Sequence, residues 1–107
     1  MLKRLWLIIK RRFTGYKPGD IVWYRPTWSI KEEKALIFCF WERSDTGGIY
    51  KAIRWSRISI DKPYPDEIQF FSFSELRFCE VASREVLLTS TIEDVRRIGL
   101  RMIDDSL

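Results

Sequence analysis

Lys17-Pro18-Gly19 runs directly into Asp20-Ile21-Val22-Trp23-Tyr24-Arg25, and Pro26 closes the run. Proline presets φ and glycine tolerates positive φ, so the first three residues make a turn. The six that follow alternate with period two and are rich in β-branched and aromatic side chains, which reads as a strand. Ile21, Trp23 and Arg25 share one face; Val22 and Tyr24 share the other. Pro26 has no N–H for a ladder and ends the strand. A turn that breaks into so short a strand is the opening of a small β domain.

The same alternation of turn and short strand recurs along the chain. Lys34–Glu42 is apolar on both faces, with Leu36, Phe38 and Phe40 alternating with Ala35, Ile37, Cys39 and Trp41. Such a run predicts the most buried strand of the fold, with Phe38 and Phe40 both inside. Ser44-Asp45-Thr46-Gly47-Gly48 predicts a hairpin loop. Ile49–Trp55 returns as a strand, which Arg57–Ile60 extends after a bend. Asp61–Asp66 holds two prolines and reads as a loop. Ile68–Phe73 is a further strand. Ser74-Glu75-Leu76 suggests a single turn capped by Ser74. Phe78–Ala82 and Glu85–Leu88 are the last strand candidates. Short strands with turns every ten or so residues predict a mainly β fold, a small SH3-like barrel.

A helix is expected at each end. Residues 1–14 form a basic amphipathic segment in which Leu2, Leu5, Trp6, Ile9 and Phe13 share one face, Arg4 and Arg11 lie opposite, and Leu7 breaks the pattern. Thr14-Gly15 stops it. The apolar stripe is expected to pack on the domain, leaving a basic face that is optional for folding. The alternative is a segment lying on a membrane surface or on RNA. Residues 15–107 then form the barrel together with a carboxy-terminal helix at 91–104. In that helix Ser90/Glu93 and Thr91/Asp94 have capping-box spacing, and Ile92, Val95, Ile98, Met102 and Ile103 form the buried stripe. Gly99 lies within that stripe and allows close approach of another surface, while Glu93 and Arg97 make an i,i+4 pair.

Charge placement narrows the function classes. The chain has 107 residues and a net charge of +4, but Lys3, Arg4, Lys10, Arg11 and Arg12 give residues 1–13 a charge of +5, so the remainder sums to −1. The basic pI describes one terminal segment rather than a basic domain. Histidine is absent and no CxxC occurs. Zinc coordination of the usual kind, His-based triads and a histidine general base are therefore outside its chemistry. No motif calls for a metal or cofactor. Cys39 and Cys79 sit in apolar runs and read as free thiols in a reducing compartment; a disulfide between them is the alternative. The apolar run Leu5–Ile9 is too short for a secretory core or a membrane span, so a cytoplasmic protein is expected.

The segment KPGDIVWYRPTWSIKEEKALIFCF resembles the first hairpin of the MazF/PemK-like toxins. Gly19, Asp20, Ile21, Val22, Trp23, Pro26, Glu33, Ala35, Leu36 and Ile37 fall in matching order, and Val95, Ile98 and Met102 suit that family's terminal helix. The likeness covers about 24 residues and otherwise extends only to the layout. It implies an SH3-like barrel, often dimeric, that cuts single-stranded RNA. In that family catalysis is tied to a basic residue opening the second strand and a hydroxyl after the third. Here those positions hold Lys34, followed by Ala35 rather than proline, and Ser56, with Arg54 close by. Lysine lacks the planar fork that grips phosphate through two bonds, so the resemblance supports the fold more than the activity.

Aromatic residues are many for one small barrel. They fill the core and rim, or they form a binding face. Trp28 and Tyr64 fall in expected loops, Trp55 ends a strand, and Arg25, Arg54 and Arg57 flank them, a pairing suited to stacking bases or docking a peptide. Three functions follow: a non-catalytic module engaging nucleic acid or a protein partner through this face, a MazF/PemK-like endoribonuclease or degenerate relative, and a small mobile-element inhibitor of a host enzyme.

Overall fold

The computed structural model describes residues 2–25, 31–57, 68–90 and 92–106, without the side chains of 57, 105 and 106. Helix α1 (Leu2–Thr14) is followed by β1 (Asp20–Tyr24), β2 (Glu33–Glu42), β3 (Ile49–Arg54), β4 (Ile68–Ser72), β5 (Leu76–Val81), the short helix α2 (Arg84–Leu88) and α3 (Glu93–Ser106). The strands form one antiparallel sheet in the order β4-β3-β2-β1-β5. In a flat sheet β1 and β4 would lie three spacings, about 14 Å, apart. Tyr24 on β1 nevertheless stacks on Phe71 of β4 with ring centroids 4.2 Å apart. The sheet therefore curls on itself, as expected for a small SH3-like barrel with a helix at each end.

Both faces of the sheet are buried, and strict alternation sorts the residues between them. Ile21 and Leu36 point outward with Phe38, Ile53 and Cys79 into a core closed by Leu87 of α2 and Val95 and Ile98 of α3. Val22, Tyr24, Ala35 and Ile37 point inward with Tyr50, Ala52, Phe71 and Phe78, joined by Tyr16. A strand with cover on both sides reads as a continuous apolar run, which explains Ala35-Leu36-Ile37-Phe38.

That run ends sooner than alternation alone implies. The β2–β3 register slips between Ile37 and Cys39, and Phe40 comes to face Tyr50 with rings 5.4 Å apart. A bulge adds one residue to one strand and switches the side chains beyond it to the other face. Phe40 therefore lies on the Tyr50 face at the hairpin end of β2, where it is 47% exposed, contrary to the expectation that it sits in the core beside Phe38. The third strand stops at Arg54, and Trp55–Arg57 is a 3-10 turn. Residues 58–60 lie outside the described residues. Glu85–Leu88, expected as strand, belongs to α2, whose start at Arg84 follows Ser83. The turn at Phe73–Glu75 has Ser72 rather than Ser74 at its cap, without a side-chain capping bond. Both cysteines are free, and Cys39 is only half-buried.

The carboxy-terminal helix packs as its pattern requires. Ser90 Oγ accepts a hydrogen bond from the Ile92 N–H at 3.1 Å, and Arg97 pairs with Glu93 at 2.9 Å. A Cβ on Gly99 would sit 3.1 Å from Leu87 Cβ and 3.2 Å from two Leu88 carbons, so glycine lets α2 and α3 touch. Gly19 has φ +94°, and a Cβ there would stand 2.9 Å from the Met102 sulfur. The opening turn is therefore glycine for its backbone and for the approach of α3.

The seating of α1 reverses the expected one. Leu7, Ile8 and the buried Arg11 face the domain. Leu2, Leu5, Trp6, Ile9 and Phe13 point away and are 45 to 86% exposed. The reason is Asp20, which is 1% exposed. Its carboxylate accepts Arg11 Nε at 2.6 Å, Arg11 Nη2 at 3.2 Å and the Lys17 N–H at 2.9 Å. A buried carboxylate needs a counter-ion, and meeting that need turns the Arg11 side of α1 inward. Gly15, with φ +80°, then ends the helix through its N–H to the Arg11 carbonyl at 2.9 Å.

Candidate functional site

The residues singled out for ribonuclease chemistry do not converge. Lys34 is paired across the ladder with Trp23, and Arg54 with Ala35. Directly paired residues share a face and adjacent ones do not, so Lys34 and Arg54 leave the sheet on opposite sides. Each also has a carboxylate. Lys34 Nζ lies 3.8 Å from Glu80 and 5.2 Å from the Trp23 ring centre. Arg54 Nε lies 3.5 Å from Glu33, an ion pair without hydrogen-bond geometry, and it is buried. Ser56 is exposed in the 3-10 turn after β3. A single phosphate cannot contact both cations from one side of the sheet.

The proposed aromatic face can be placed only in part. Trp28 and Tyr64 lie outside the described residues, as does the Arg57 side chain. Arg25 is exposed at the end of β1. Trp55 is half-buried and packs on the outer core rather than standing free.

The structure instead assembles arginine and aromatic residues at a place the sequence pattern did not mark. A cleft of about 560 Å³ opens beside α1, with Arg4 and Arg12 from the helix, Arg77 from β5, and Trp23, Phe73 and Tyr16 among its walls. Among the described residues, none that lines it is acidic. Arg77 is held by Glu32 at 2.6 Å. Arg4 and Arg12 are exposed and make no salt bridge among the described residues. Trp23 and Phe73 are half-buried, so part of each ring is reachable. Tyr16 is buried edge-on against Tyr50, with centroids 5.4 Å apart. Burial pushes its hydroxyl up to about 12, with a smaller upward contribution from Tyr50, so it is neutral and a donor at ordinary pH. The signal that could have found this cleft is the i,i+4,i+8 row Arg4, Ile8, Arg12 on one flank of α1. Its aromatic wall comes from strands far away in sequence.

Of the basic segment, Lys3, Arg4 and Arg12 are exposed, Lys10 is half-buried, and Arg11 is committed to Asp20. Among the described residues no cluster of His, Cys, Asp or Glu could hold a metal ion, and no helix is long and apolar enough to cross a membrane.

No family model, curated protein or solved structure matches this chain. The MazF/PemK-like resemblance therefore rests on the first hairpin.

Proposed function

We propose that this chain is a non-catalytic SH3-like binding module that takes single-stranded nucleic acid in the cleft between α1 and β5. The observation that supports it is the lining: two arginines without ion-pair partners among the described residues, reachable aromatic rings and no acidic side chain among the described lining residues. Arginine meets phosphate through its planar fork, and aromatic rings stack on bases whatever their sequence. The cleft is also in the size range of ligand sites.

Fluorescence anisotropy with a labelled oligouridylate, read across a salt series, tests this. Binding should weaken with salt, and Arg4→Ser and Arg12→Ser should each flatten the log–log slope by about 0.7. Binding that is absent at low salt, or a slope untouched by both substitutions, would refute the reading and favour a protein partner. The endoribonuclease reading meets the same assay: a binding module returns the oligonucleotide intact, and cleavage would replace this proposal.

A further inference from the structure

We propose that the outward face of α1 docks in the plane of an anionic lipid bilayer. At about 100° per residue, Leu2, Leu5, Trp6, Ile9 and Phe13 fall within an arc of about 100° on the helix surface. Leu7, Ile8 and Arg11, which seat the helix on the barrel, fall on the opposite side. The stripe therefore points directly away from the domain, and all five of its residues are exposed. So large an apolar patch on one element marks an interaction surface.

Charge decides among the occupants. Lys3 and Lys10 border the stripe on one side and Arg12 on the other, and α1 contains no acid. These are the cations that reach headgroups when the stripe sinks to the acyl boundary, and Trp, Phe and Leu are the side chains that suit that depth. A second copy of this chain would bring identical basic borders together, which opposes self-pairing. RNA would satisfy the cations but leave the five apolar side chains in water. The helix has 13 residues, so at 1.5 Å each it spans about 20 Å, short of the roughly 30 Å hydrocarbon core. It therefore lies on the bilayer and does not cross it. Phe13, at the end of the stripe, also lines a second opening with Phe40 and Arg43 of the β2–β3 hairpin.

Vesicle co-sedimentation of the full chain tests the proposal. The protein should bind vesicles of phosphatidylcholine mixed with phosphatidylglycerol, and bind pure phosphatidylcholine much less. Leu5→Ser/Ile9→Ser should lower affinity for the mixed vesicles at least tenfold, roughly what two lost apolar contacts allow. Lys3→Gln and Lys10→Gln should each lower it about fivefold. Trp6→Phe should keep the binding but lose most of the vesicle-induced blue shift in tryptophan emission. Oligonucleotide binding should be unchanged in Leu5→Ser/Ile9→Ser, which separates this surface from the cleft. No sedimentation with anionic vesicles would overturn the proposal, and so would full affinity in the serine variant. A dimer that dissociates in the serine variant without ever binding vesicles would assign the stripe to a protein interface instead. Should the serine variant fail to fold, the emission of Trp6→Phe decides: an undiminished blue shift overturns the docking.

Discussion

Removing the Arg11 side chain should cost this small domain a large share of its stability. Asp20 is fully buried and takes two of its three hydrogen bonds from the Arg11 guanidinium. Arg11→Leu keeps the helix and much of the packing volume but leaves the carboxylate with the Lys17 N–H alone. Breaking a buried pair from one side costs about 3–5 kcal/mol, because the remaining charge is stranded away from water. Domains of this size are stable by only about 5–15 kcal/mol in total. Asp20→Ala should cost a similar amount, since it strands the buried Arg11 guanidinium and removes the carboxylate that accepts from the Lys17 N–H at 2.9 Å. The double variant strands no charge and should lose about 2–3 kcal/mol less than the sum of the two. Urea unfolding followed by far-UV circular dichroism measures all three, with an unchanged slope reporting an unchanged two-state transition. High salt should weaken the wild-type pair little, because a buried pair is little screened. A single-variant loss below about 1 kcal/mol, or simple additivity in the double variant, would show that α1 is not seated through this pair. Deleting residues 1–13 removes Arg11 together with Leu7 and Ile8, and the truncated chain should be at least as unstable as Arg11→Leu.

Other outcomes follow from the core and the helix contact. Leu36→Ala, at a fully buried site in β2, should cost about 2–5 kcal/mol in the same urea experiment. Gly99→Val should destabilise by about 1–3 kcal/mol through overpacking against Leu87 and Leu88, read as a lowered melting temperature. Tyr16 titrates near 12 when folded against 10.0 when unperturbed. Its neutral form thus favours folding fully below pH 10, and that contribution is lost as pH rises towards 12. Tyr16→Phe should therefore unfold less steeply than wild type over that window. Lys34→Ala should change stability by less than about 1 kcal/mol, as for an exposed pair, with thermal unfolding as the check.

Much of the barrel was legible because alternation is local. Ile21 and Trp23 on one face, Val22 and Tyr24 on the other, and the two-sided run Ala35–Phe38 were all readable from period two, and the structure covers both faces as that pattern demands. The carboxy-terminal helix was equally clear from Val95, Ile98 and Gly99. Glu85–Leu88 was not, since four residues, three of them apolar, suit a strand or a helical turn alike.

What the sequence determined by itself, then, is which residues can share a face; which face turns inward was decided by tertiary structure. In α1 the apolar stripe was correctly grouped but assigned to the wrong side, because hydrophobicity alone does not register a buried acid nine residues away. Asp20, fixed in the turn that opens β1, draws in Arg11 and leaves Leu5, Trp6 and Ile9 facing out. Phe40 fell to the same kind of cause: one bulge, set by pairing with β3, moved it to the other face. The arginine–aromatic cleft joins α1 to strands distant in sequence, and only folding brings them together. Local periodicity is a property of the chain, whereas the choice between two faces depends on partners that are not neighbours in it.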